Sequence, residues 1–128
     1  MTLKIGTIGC SRAAQKYFFP YINSSEYADV KFVGSRSTKK AEEWAKKYQC
    51  NKFGNYADVI NSDVDAVYIS LPIAMHEEWS IKAADAGKHV LCEKSSTISY
   101  ESAKKILQAC KDNNVRILEG LAFRFHPQ

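Results

Sequence analysis

The first residues in this sequence with the types and spacing to do chemistry are Gly9-Cys10-Ser11-Arg12-Ala13-Ala14, which follow a short apolar run. They fit the pattern G-x-G-x-x-G/A, with Ser11 in place of the second glycine. The chemistry is phosphate binding. Gly9 makes a tight turn, the backbone approaches a ligand closely at Ser11, and small Ala14 lets a helix pack on a strand. A pyrophosphate would then meet the amides at the helix N-terminus, where the helix dipole favours negative charge. In this reading Gly9, Cys10, Ser11, Arg12 and Ala13 cradle a dinucleotide. The same residues also suit a plain strand-to-helix connection. The Ser11 side chain crowds the phosphates unless its hydroxyl bonds to them.

The second such place is Ser35-Arg36-Ser37, with Lys39 and Lys40 following. NAD-specific sites place an Asp or Glu about 20 residues past the glycines to hold the ribose hydroxyls. No acid stands there in this sequence. Arg36 can pair with a 2′-phosphate as a planar fork, and Ser35 and Ser37 can donate hydrogen bonds. NADP(H) is therefore expected over NAD(H). The other use of these residues is to solvate a helix start, but lysines there oppose the dipole.

Elements that could position both places follow from the periodicity. Residues 3–9 read as a strand, 12–23 as a helix and 30–34 as a second strand. A helix over 38–48 has Thr38 as N-cap and Ala41, Trp44, Ala45 and Tyr48 on one face. A short extended piece at 52–53 and a helix over 56–61 lead to a strand at 66–69. Then come a helix over 76–86 closed by Gly87 and a strand at 88–92. A helix from Ser99 to about residue 113 turns Ala103, Ile106, Leu107 and Cys110 inward, before a last strand at 115–118. Trp79 belongs to core or interface packing. Strands alternating with helices predict an α/β fold, a doubly wound and mainly parallel sheet of Rossmann type. Ligands of such sheets sit beyond the carboxyl ends of the strands, where the strand order reverses.

Composition sets the bounds. At 128 residues the chain is one domain in size, with 45% hydrophobic and 25% charged residues, as in ordinary globular proteins. The net charge of +4 is spread along the chain, which argues against nucleic acid as a partner. No apolar run approaches the roughly 18–20 residues of a membrane span, and Met1-Thr2-Leu3-Lys4 leads into a strand, not a signal peptide. A cytoplasmic location is expected. Cys10, Cys50, Cys92 and Cys110 lack the paired spacing of a metal or redox motif and read as structural.

Taken together, the whole chain resembles the Gfo/Idh/MocA oxidoreductases. The resemblance rests on Ile5-Gly6-Thr7-Ile8-Gly9-Cys10-Ser11, Gly34-Ser35-Arg36-Ser37, the segment from Leu71-Pro72 to His76, Ala86-Gly87-Lys88-His89-Val90-Leu91-Cys92-Glu93-Lys94, and Phe123-Arg124-Phe125-His126-Pro127-Gln128. It implies that Lys94 lies beside the nicotinamide and exchanges the substrate hydroxyl proton during hydride transfer. It implies further that Glu93 lies near the nicotinamide ribose, and that Leu71, Pro72 and His76 line the cofactor side of the cleft. The sequence departs from the family pattern at Ser11, at Ile73 where Asn is common, and at Ser95 where Pro is usual. A non-proline cis peptide costs about 3–4 kcal/mol, so a trans Lys94–Ser95 bond is expected.

The same resemblance predicts a cofactor domain over residues 1–120. Residues 121–128 begin the connection to an α/β substrate domain outside this sequence. The substrate expected is a sugar or cyclitol, as hydroxyl or ketone. The alternative is a self-standing NADP(H)-binding regulatory or interaction module without catalysis. A third is a domain that has lost dinucleotide binding. Leu121, Phe123 and Phe125 are the apolar residues expected to be uncovered, so a homo-oligomer is plausible.

Overall fold

The computed structural model describes residues 1–121 and 127. Among the described residues six parallel strands form one sheet: β1 (Leu3–Ile8), β2 (Ala28–Gly34), β3 (Phe53–Gly54), β4 (Ala66–Ile69), β5 (His89–Cys92) and β6 (Ile117–Glu119). Their order is β3-β2-β1-β4-β5-β6. The order reverses between β1 and β4, which pair from Ile5 opposite Ala66 to Ile8 opposite Ile69. The central strands are buried because helices cover both faces: all four residues of β4 and the last four of β1 are buried.

The helices are α1 (Phe19–Ile22), α2 (Thr38–Lys47), α3 (Tyr56–Ile60), α4 (His76–Asp85) and α5 (Tyr100–Asp112). A π-helical turn, Ala14–Phe18, precedes α1, and the Phe19 amide donates to the Ala14 carbonyl five residues back. Pro20 accounts for this departure from the regular helix expected over 12–23. It has no N–H to donate to Lys16, and its ring displaces that carbonyl, so the turn widens. Phe19 is fully buried, stacked on Tyr48 at 4.2 Å and edge-on to Trp44 at 5.5 Å. This aromatic set fastens the first helical segment to α2.

Three further details differ from the sequence reading. Ser37, not Thr38, caps α2, its Oγ accepting from the Lys40 amide at 3.3 Å. Ser37 has the extended backbone that an N-cap requires, and Thr38 is already helical. On α5 the buried line is Ser102, Ile106 and Cys110 at four-residue spacing, and Leu107, one residue further round, is exposed. β6 starts at Ile117 because Asn114 takes a positive φ and the Val115 amide donates back to Cys110, closing α5 before the strand begins.

Phe123 and Phe125 lie outside the described residues, and Leu121 is half-buried. Among the described residues no helix is long and apolar enough to cross a membrane.

Candidate active site at the strand-order reversal

The loops after β1 and β4 meet at the carboxyl edge of the sheet. Gly9 has φ +102°, and a Cβ there would come within 2.9 Å of the Ser70 carbonyl oxygen. The Ser70 hydroxyl donates to the Gly9 carbonyl at 3.2 Å, and its amide donates to Ile8 at 3.0 Å. The crevice floor is therefore pinned from both strands.

The first helical turn opens onto this crevice. Its first regular bond runs from the Gln15 amide to the Ser11 carbonyl, so the preceding amides have no helical partner. Ser11 Oγ accepts from the Ala14 amide at 3.0 Å. The hydroxyl that would crowd a phosphate is thus turned back as a cap, and the amides of Arg12 and Ala13 are left for a ligand.

A cavity of about 400 Å³ lies here, lined by Gly9, Cys10 and Ser11 on one side and by Ser35, Arg36, Ser37 and Lys40 at its far end. Among the described residues Arg36 and Lys40 are its two cations, and no carboxylate lines it. Ser35 Oγ accepts from the Ser37 amide and Ser37 Oγ from the Lys40 amide, so each hydroxyl keeps its proton to donate, that of Ser35 within reach of the Cys10 sulfur as well. The first turn of α2 holds no acid, so its dipole also favours an anion. Burial pushes the Cys10 thiol up to about 11, against the pull of Lys40 and a hydrogen bond with Ser35. Cys10 is therefore a neutral wall and not a nucleophile.

A second cavity of about 420 Å³ shares Ser11, Ser70, Leu71 and Pro72 with the first and extends to Glu93 and Lys94. The two form one trough along the edge of β2, β1, β4 and β5. Tyr68, buried and stacked on Phe18 at 4.0 Å, donates its hydroxyl to Glu93 Oε1 at 2.6 Å. Burial first, and the Glu93 carboxylate second, hold the Tyr68 phenol well above its ordinary range, so it stays a donor. Gly120 gives the carboxylate its room: a Cβ there would lie 3.2 Å from Glu93 Oε2. Neither Tyr68 nor Gly120 was singled out in the sequence, where a strand tyrosine reads as core.

Lys94 is exposed at the end of this trough. Its peptide with Ser95 is cis, against the trans geometry expected from the sequence. That bond is flanked by two anchors, since the Ser95 carbonyl faces His76 Nδ1 at 2.9 Å and the Ser96 amide donates to Glu119 Oε1 at 2.8 Å. His76 itself lies behind the trough and lines neither cavity. It is 1% exposed, and its Nε2 faces the Leu71 carbonyl at 2.7 Å. Both facing atoms are acceptors, so a neutral ring donates to one of them and an imidazolium to both.

A six-stranded parallel sheet with a glycine turn and free helix-start amides at its order reversal defines a Rossmann-type dinucleotide-binding domain. The chain belongs to the Gfo/Idh/MocA family, described as the oxidoreductase family with an NAD-binding Rossmann fold, whose profile matches residues 3–121. It is 33% identical over 127 residues to D-xylose 1-dehydrogenase (NADP(+)) 2 of Haloferax volcanii, covering 98% of this chain and 39% of that protein. It is 36% identical over 97 residues to the scyllo-inositol 2-dehydrogenase (NADP(+)) of Bacillus subtilis, covering 74% and 30% respectively. Its structure matches that of a 3-ketoreductase from Actinomadura kijaniata in complex with NADP and TDP-benzene, with a TM-score of 0.96 at 29% identity, over the whole of this chain and 40% of that one. The chain thus spans no more than two fifths of the length of these relatives.

Proposed function

We propose that this chain is the NADP(H)-binding domain of an oxidoreductase that interconverts a hydroxyl and a ketone on a sugar or cyclitol. The observation that carries this reading is the cationic end of the trough: Arg36 and Lys40 with the Ser35 and Ser37 hydroxyls, and no carboxylate. This set suits a 2′-phosphate and leaves a bare ribose without its usual acceptor. The relatives named as NADP-dependent point the same way.

The residues present fit the dinucleotide along its length. Arg36, Ser35 and Ser37 hold the 2′-phosphate. Gly9, Cys10, Ser11, Arg12 and Ala13 hold the pyrophosphate by backbone amides, with Leu71 and Pro72 as the opposite wall. When bound, the cofactor supplies or accepts the hydride. Glu93, fixed by Tyr68, accepts a hydrogen bond at the nicotinamide end. Lys94, exposed at the open end of the trough, exchanges the hydroxyl proton with the substrate.

The domain extends over residues 1–120, and residues 121–128 begin the connection to an α/β domain that completes the substrate site and supports assembly into a homo-oligomer in the cytoplasm. The test is a titration of the chain with NADPH and with NADH, followed by nicotinamide fluorescence. NADPH is expected to bind more tightly. Arg36→Ala removes a charge-assisted bond worth about 1.5–3 kcal/mol, which is about 10- to 100-fold in NADPH affinity, and leaves NADH unchanged. Equal loss for both cofactors, or no binding of either, overturns the reading.

A further inference from the structure

The two walls at the nicotinamide end of the trough come from different loops, Leu71 and Pro72 after β4, and Glu93 and Lys94 after β5. One buried side chain touches both. His76 faces the Leu71 carbonyl with Nε2 at 2.7 Å and the Ser95 carbonyl with Nδ1 at 2.9 Å. It stands at the start of α4 and fills no cavity of its own.

The segment that bears Lys94 is anchored on either side. Before it, the Glu93 amide donates to Ile69 at 3.0 Å, which extends the sheet ladder. After it, Ser95 meets His76, and the Ser96 amide donates to Glu119. Lys94 makes no ion pair among the described residues. Its direction is therefore set by the backbone on which it stands, and among the described residues the side chain hydrogen-bonded between that backbone and the opposite wall is that of His76.

We infer that His76 is a positioning residue: it clasps the loop after β4 to the loop after β5 and so fixes the width of the trough and the direction of Lys94. This rests on the reading of Lys94 and the cofactor given above, and it assigns His76 a role behind the cleft, where the sequence resemblance had placed it in the lining. A lost buried hydrogen bond to the loop is worth about tenfold in local opening.

Amide hydrogen exchange on the cofactor-free chain tests the clasp without reference to the cofactor. His76→Leu fills the buried volume and donates to neither carbonyl. It is expected to speed exchange of the Ser96 amide about tenfold or more, with the Glu93 amide in the ladder unchanged. The clasp requires a proton on Nδ1 directed at Ser95, which His76→Asn can replace, whereas His76→Gln supplies a donor only at the Nε2 position. Asn is expected to keep Ser96 slow and Gln to release it. Equal Ser96 exchange in the wild type and in the variants that fold overturns the inference.

Ligand affinity separates positioning from general destabilisation. The leucine variant is expected to weaken NADPH about tenfold and to leave 2′,5′-ADP unchanged, because only NADPH reaches the Lys94 end. Equal weakening of both overturns the positioning role. A wild-type chain that binds neither ligand overturns the proposed function, and the exchange comparison then decides the clasp alone.

Discussion

Adding one methyl group at Gly9 should cost more than the same change at any other positive-φ glycine, and the structure says by how much. Both Gly9 (φ +102°) and Gly87 (φ +77°) adopt backbone conformations that a side chain disfavours. Gly87→Ala meets nothing within 4 Å, so its cost is conformational alone, about 1 kcal/mol. At Gly9 the new Cβ lies 2.9 Å from both Leu71 Cδ2 and the Ser70 carbonyl oxygen. The leucine methyl can yield, but the carbonyl cannot, because Ser70 is fixed by its amide to Ile8 and by its hydroxyl to Gly9. Overpacking against a fixed backbone adds about 2 kcal/mol, for a total near 3. In a chain of this size 1 kcal/mol moves Tm by about 4 °C, so Gly9→Ala should melt about 12 °C lower than wild type and Gly87→Ala about 4 °C lower. Urea titration with unchanged m and parallel thermal melts measure both. Equal losses in the two variants would refute the argument that the β1 and β4 loops are rigidly tied.

Two other expectations follow from the same crevice. Ser11→Ala should cost about 1 kcal/mol of stability through the lost cap, and Ser11→Gly only a few tenths, while glycine frees the Ala14 amide and tightens NADPH; melts and titrations of both variants check this, and a loss of NADPH affinity in the glycine variant would contradict it. The Cys10 thiol, pushed up to about 11, exposes its thiolate only as pH rises toward that value. Its alkylation by iodoacetamide at pH 8 should run roughly 100-fold slower than that of a free peptide thiol and rise tenfold per pH unit up to about 11, read by mass spectrometry. Ordinary reactivity at pH 8 would show that burial does not govern this residue.

The fold was legible because its punctuation is local. Gly9 follows β1, Gly34 ends β2, Pro72 lies in the turn after β4, Gly87 closes α4, and Ser99 caps α5, each for a reason that acts within a few residues. The loops that meet in the first cavity were legible for the same reason: Gly9 to Ser11 and Ser35 to Ser37 each lie on one loop, and the structure brings the two loops to one cavity. What was not legible depends on distant partners. His76 read as a helix-start residue in the cleft because nothing in the sequence announces that the Leu71 and Ser95 carbonyls converge on it. Tyr68 drew no notice in its strand because its partner Glu93 is 25 residues away. Ser11 read as a crowding group because its hydroxyl's alternative, the Ala14 amide, depends on the rotamer it takes.

The pairing of β1 with β4 also governs when the site comes into being. One bank of the trough is written in the first 40 residues and the other in residues 70 to 94, and the bond that joins them, Ser70 to Gly9, spans 61 positions of sequence. Neither half of the chain holds both banks. Closing so long a loop is the slow, non-local part of assembling a parallel sheet. Both banks must be in place before the trough can hold a dinucleotide along its length, so a ligand that stabilises the finished trough reports on the completed sheet.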